Sequence, residues 1–219
     1  MADVYAILMD IVRSRDPADR TDARRRFETV LAEAAEGLGL ITAPCAAVGD
    51  EFQALAPALP EALTLILRIQ LLLPEDLDLR FGVGCVRTGP VGGSGPRGIQ
   101  DGGAWRLARE AIDRARALRD GGGAYVRTRY RADDGDEVLV NALLLLRDHA
   151  LAGLSPRQRR MLAGLTGGCT QARIAEAEGV SQAAVSQFAV SKGAALLAAH
   201  RLLMETVSRR PRPAAGGGA

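Results

Sequence analysis

The sequence predicts an α+β sandwich followed by an all-α unit, on three observations. Residues 4–120 alternate short apolar runs of strand character with stretches whose apolar residues recur every three or four positions, in the order strand–helix–strand–strand–helix–strand–helix. Beyond about residue 149 strand character disappears, and short helical stretches take over, bounded by Ser caps and Gly stops. With 219 residues, 47% of them hydrophobic and 25% charged, the chain can fill one full core and a small appended domain. We therefore expect an α+β domain over 1–148 (core 4–120, hairpin or connector 121–148), an all-α domain over 149–207 and a disordered low-complexity tail over 208–219.

Each element has its own signal. "VYAILMDI" (4–11) is a strand run apolar enough to be buried on both faces. Phe27, Val30, Leu31, Ala34 and Leu38 then share one side of a helix within 17–39, stopped by Gly37 or Gly39. Residues 41–55 read as a hairpin turning at Gly49-Asp50, and a second helix covers roughly 57–73. In "LDLRFGVGCVRTG" (77–89) Phe81, Val83 and Cys85 alternate as in a strand. A Gly-rich connector over 91–103 precedes a helix at 104–120 carrying Ala104, Leu107, Ala108, Ala111, Ile112 and Ala115 on one face. The order suggests an antiparallel sheet with helices on one face. Residues 121–136 read as a hairpin or connector turning at "DDGD", followed by an apolar helix from about 137.

Several classes of function are excluded or left without support. Net charge is only +2, but arginines cluster in "DARRRF", "SPRQRR" and "SRRPRP". The three cysteines and two histidines are scattered, without the spacing of structural zinc or of a disulfide framework. The apolar stretch 62–73 is broken by Arg68 and Gln70 and is too short to span a bilayer, and the N-terminus does not read as a signal peptide. The expectation is a cytoplasmic protein without a membrane partner.

Two strands end on acids: Asp10 after the first, and Asp50 with Glu51 at the hairpin. If these strands are neighbours, the carboxylates converge at one sheet edge, where a hard cation such as Mg²⁺ would relieve their repulsion and polarise a nucleotide's phosphates. The alternative is that Asp10 caps a turn and Asp50-Glu51 is a solvated hairpin tip. Trp105 either packs its helix on the sheet or stacks on a base. Arg13 either meets phosphate or stays solvated.

Taken in order, "YAILMDIV", "AVGDEFQAL", "LRFGVGCVRTGPV" and "GGAWRLAREAI" resemble the successive motifs of class III nucleotide cyclases. Through "DIVRSR", "GDEFQ", "RFGVG" and "DGGAWRLARE" the chain resembles the SatD family of bacterial proteins more closely still. The resemblance implies a ferredoxin-like, nucleotide cyclase-like palm. In that reading Asp10 and Asp50 are the metal carboxylates beside the Ile11 carbonyl, and Glu51 follows Asp50 as in GGDEF diguanylate cyclases. Arg109 would correspond to the arginine that stabilises charge on the transferred phosphate, a tentative catalytic role. Arg13, Trp105 and Arg109 are the candidate nucleotide-binding residues. Ala46 stands where the cyclases carry their purine-reading lysine, and Trp105 where they carry an asparagine, so nucleotide binding is favoured over cyclization.

The C-terminal region reads as a helix-turn-helix. Ala175, the stop at Gly179, and apolar Ile174, Val180 and Val185 suit two helices crossing around a tight bend. The second helix, taken as one unit over 182–203, would bury Val185 and Phe188 and present Ser181, Gln182, Ala183, Ser186, Gln187 and Lys192 to DNA bases. Arg157, Arg159, Arg160 and Arg173 would meet phosphates. The alternative is a helical interaction domain with the same turn and no DNA. The leading expectation is thus a DNA-binding regulator, a homodimer joined through the helix 137–147 or 194–204, with a cyclase-like domain that binds nucleotide or serves as scaffold. The alternative is a Mg²⁺-dependent nucleotide-processing enzyme with an accessory helix-turn-helix.

Overall fold

The computed structural model describes residues 3–12, 20–47, 51–86, 102–132 and 136–208. Its strands are β1 (Val4–Ile11), β2 (Thr42–Ala46), β3 (Glu51–Ala56), β4 (Leu79–Val86) and β5 (Thr128–Ala132). Its helices are α1 (Arg20–Ala35), α2 (Leu59–Leu72), α3 (Gly103–Asp120), α4 (Glu137–Ala152), α5 (Pro156–Thr166), α6 (Gln171–Glu178), α7 (Gln182–Val190) and α8 (Ala194–Ser208). One five-stranded sheet runs β2-β3-β1-β4-β5. The first four strands are antiparallel to their neighbours, and β5 joins β4 in parallel.

The central strand is apolar throughout because both faces of the sheet are covered. Tyr5, Ile7 and Met9 of β1, with Phe52, Ala54, Phe81 and Val83, point toward α1 and α2, where Phe27, Leu31, Leu63 and Ile66 complete the larger core. Val4, Ala6 and Leu8 point the other way, with Leu55, against Ala104, Ala108 and Ile112 of α3. Helices on one face only, as the element order suggested, is therefore corrected: the alternation in β1 needs cover on both sides.

The "FGVG" run explains how α3 lies so close. Alternation sends Phe81 and Val83 into the larger core and leaves Gly82 and Gly84 beneath α3. A Cβ on Gly84 would stand 2.0 Å from the Ala104 carbonyl oxygen and 2.3 Å from the Ala108 nitrogen, and one on Gly82 would stand 2.2 Å from the Ala108 carbonyl oxygen. Small residues on both surfaces bring helix and strand backbones into contact.

For 121–136, where hairpin and connector both stand open, the parallel pairing of β5 with β4 fits a connector leading into β5. Its anchor is Asp148 of α4, which accepts hydrogen bonds from the backbone nitrogens of Arg127 (2.8 Å) and Thr128 (2.7 Å), from Thr128 Oγ1 (3.2 Å) and from Gln70 Nε2 of α2 (3.1 Å). The neighbouring Arg147, buried, donates to the Leu63 carbonyl (3.1 Å) and to Thr128 Oγ1 (3.3 Å). Burial pulls the Arg147 pKa down, and the adjacent Asp148 charge opposes that.

The last four helices gather on a second apolar cluster. Leu151, Leu154, Met161, Leu162, Ile174, Val185, Phe188, Leu196 and Leu197 join there with Leu67 and Leu71 of α2. Thus α2 has two buried stripes, one toward the sheet and one toward these helices, which accounts for the near-continuous apolar run at 62–73. The helix expected over 182–203 is broken into α7 and α8. Ser191 leaves the helical conformation, and the Gly193 nitrogen returns to the Phe188 carbonyl (2.9 Å), with the Phe188 ring about 3.0 Å from where a Gly193 Cβ would lie.

Gly84→Ala forces a methyl into backbone atoms that cannot move aside, and should cost about 3 kcal/mol of stability. Urea unfolding followed by circular dichroism measures it as a lower midpoint at unchanged slope.

Candidate functional site

Strand alternation brings Asp10 and Glu51 onto the face that α3 covers. In register, Asp10 of β1 lies opposite Glu51 of β3 on one side and Arg80 of β4 on the other. The three form a row across the sheet at the end of β1, under the middle of α3. From α3, two turns apart, come Arg109 and Arg116.

These guanidinium groups hold the carboxylates. Asp10 Oδ2 accepts from Arg80 Nη1 (3.2 Å) and Arg116 Nη2 (2.8 Å). Glu51 is gripped by both Nη atoms of Arg109, the Nη2–Oε2 distance being 2.6 Å. This fork geometry suits carboxylate. Hydrogen bonding from Arg109 holds the Glu51 carboxyl below its ordinary range against a smaller desolvation effect, and the same bond raises Arg109. Burial lowers Arg80, partly offset by Asp10, and the bond to Asp10 raises Arg116. Arg80 and Arg116 are participants that sequence reasoning missed. Alternation along β4 and the two-turn spacing from Arg109 are the signals that point to them.

Asp50 and Arg13 lie outside the described residues. Ala46 ends β2 opposite Phe52, with the Ala47 nitrogen bonded to the Glu51 carbonyl (2.8 Å). Of the three carboxylates that the cyclase resemblance assigns to Mg²⁺, Asp10 and Glu51 are paired with Arg80, Arg116 and Arg109. Among the described residues no three His, Cys, Asp or Glu side chains gather as a metal site.

Beside the row, where α3 leaves the sheet partly uncovered, opens a groove of about 570 Å³ lined by Leu8, Leu55, Trp105, Gln53, Arg106 and Arg109 among others. Trp105 is half-buried, packed against the smaller core on one side and open to the groove on the other. One wall is apolar; the other carries Arg106, paired with Glu110, and Arg109, paired with Glu51, which itself lines the groove.

The other candidate residues lie on the last helices. Gly179 takes a left-handed conformation (φ 62°, ψ 40°) that ends α6, and the Ser181 side chain accepts from the Ala184 nitrogen to begin α7. Val185 and Phe188 are buried, while Gln182, Ala183 and Gln187 are exposed and Ser186 is partly so. Lys192 is exposed but sits in the turn after α7. Arg157 and Arg173 are exposed and make no salt bridge among the described residues. Arg160 is committed to Glu178, with contacts of 2.8, 2.9 and 3.1 Å that tie α5 to α6.

Fold and site together define a mixed α+β protein with a five-stranded sheet, an arginine-held carboxylate row on one face and a helical C-terminal unit. The chain belongs to the SatD family, whose family model matches residues 4–200. No match is found among curated proteins. Among solved structures, the chain is similar at 17% identity to a regulator of polyketide synthase expression from Bifidobacterium adolescentis. That match covers 95% of this chain and 86% of that one at a TM-score of 0.27, a limited geometric overlap. Among the described residues no helix is long and apolar enough to cross a membrane.

Because the Glu51 carboxyl is depressed in the fold, its pairing stabilises above the ordinary value of 4.5 and is lost as pH falls through the lower folded value. Against Glu51→Gln, the protein should be more stable near neutral pH by less than about 1 kcal/mol, Arg109 being largely solvated. That margin should close as pH falls below 4.5 in parallel urea titrations.

Proposed function

We propose that this chain is a DNA-binding transcriptional regulator: α5–α8 act as a helix-turn-helix unit, carried on a ferredoxin-like, cyclase-like palm that serves as its sensor. One observation carries the reading. After the left-handed turn at Gly179, α7 is held down by Val185 and Phe188, with Ala189 beside them, and turns Gln182, Ala183 and Gln187 to solvent. Glutamine pairs with adenine through two hydrogen bonds, and alanine meets a thymine methyl, so this is a surface that can read a major groove. Arg157 and Arg173, exposed on α5 and α6, and Lys192 after α7 would lie along phosphates. Arg160, tied to Glu178, acts in this reading by fixing the α5–α6 angle.

The palm reading is supported by the β2-β3-β1-β4 order, in which β1-α1-β2 and β3-α2-β4 interleave. Its ligand would be a nucleotide in the groove beside Trp105, the ring stacking on the indole and the phosphates meeting Arg106 or an Arg109 released from Glu51. No divalent cation is required by that arrangement.

Fluorescence anisotropy with random-sequence duplex DNA tests the proposal. Affinity should fall linearly on a log–log plot against salt, and Arg173→Ala should reduce the slope by about 1. Binding that is absent at low salt, or indifferent to salt and to Arg173, removes it.

A further inference from the structure

We propose that the outward face of α4 is a homodimer interface, in which Val138, Leu139, Leu143 and Leu146 form an uncharged apolar strip that a second copy of this chain covers. The helix is apolar on two sides. Val140, Leu144 and Leu151 face the protein's own cores. On the opposite side Val138 is 81% exposed, Leu139 74% and Leu146 73%, with Leu143 at 44%. At about 100° per residue, these four and exposed Ala142, His149 and Ala150 fall within an arc of about 140°. A helix hydrophobic all round is normally a helix covered all round.

Three observations select a second copy as the cover. No carboxylate or guanidinium stands in the arc, so two such strips can meet about a two-fold axis without opposing like charges. The charged residues of the helix are engaged elsewhere: Glu137 with Arg114 and Arg131, and Arg147 and Asp148 in the interior. The chain's own stretches outside the described residues offer no substitute, because 13–19, 87–101 and 209–219 are charged or rich in Gly and Pro and contain no apolar run. The rival helix α8 is less suited, since Arg201 and Glu205 share its exposed positions with Leu202.

The strip is about 20 Å long, so the contact falls at the small end of specific interfaces and should be reversible, in the micromolar range. The inference stands apart from DNA binding, but it has a consequence for it. A two-fold dimer carries two copies of α7, and two half-sites call for two.

Sedimentation velocity of the full chain without DNA, from about 1 to 100 μM, tests it. The expected result is a concentration-dependent monomer–dimer equilibrium that Leu146→Glu weakens at least tenfold, with an unchanged circular dichroism spectrum and melting temperature because the side chain is exposed. Leu139→Lys gives the same readout from the previous turns should Leu146→Glu disturb folding. A wild-type monomer over the whole range overturns the proposal, as does a dimer indifferent to both variants. DNA affinity measured on the same samples separates this failure from failure of the regulator reading.

Discussion

The Asp148 carboxylate gathers four donors from two other parts of the chain, and most of the architecture is referred to it. Two are backbone nitrogens at the start of β5, one is the Thr128 hydroxyl and one is Gln70 of α2. A buried acceptor of this kind is tolerated because its lone pairs are met, and Arg147 beside it is tolerated because its guanidinium reaches Leu63 and Thr128. Removing Asp148 strands the Arg127 and Thr128 backbone nitrogens and leaves the buried Arg147 without its neighbouring charge. The parallel edge strand, the helix that carries the strip and the helix between the two cores are thus set by one polar knot.

The charge row at the end of β1 works by a different balance. Its arginines come from α3 and β4; Arg80 is buried, while Arg109 and Arg116 are exposed, and the pairs these two make contribute little on their own. Its value is positional. Asp10 bonded to both Arg80 and Arg116 locks α3 in rotation over the glycine-lined floor of β4, which in turn fixes how Trp105 and Arg109 meet the groove.

Much of this was legible in the sequence, and the failures have physical causes. Period-two and period-3.6 patterns located β1, the β2–β3 hairpin, α1, α2 and α3, because those patterns record which face is buried. The run "VYAILMDI" already read as buried on both sides, and the error about helix placement came from weighing element order above that alternation. The strand "TRYRA" left hairpin and connector both open because its charged Arg129 and Arg131 alternate with Thr128, Tyr130 and Ala132 as in an ordinary hairpin arm, while its partner β4 lies far back in the chain. Alternation and helical spacing put Arg80 and Arg116 on the right faces, but they stand 70 and 106 residues from Asp10, and local patterns do not say which acid they meet. The break at Ser191–Gly193 was hidden by helix-forming neighbours on both sides, since it depends on how closely Phe188 overlies a glycine.

The helix α2 serves as a party wall. Its Leu63 and Ile66 belong to the room formed by the sheet, and its Leu67 and Leu71 to the room formed by the last four helices. Cutting the chain after α4 would therefore not release a tidy N-terminal half, because it would leave greasy leucines on the outer side of that wall. Any rearrangement that shifts α2 against the strands is handed directly to the helices beyond it, with no flexible joint to absorb the movement.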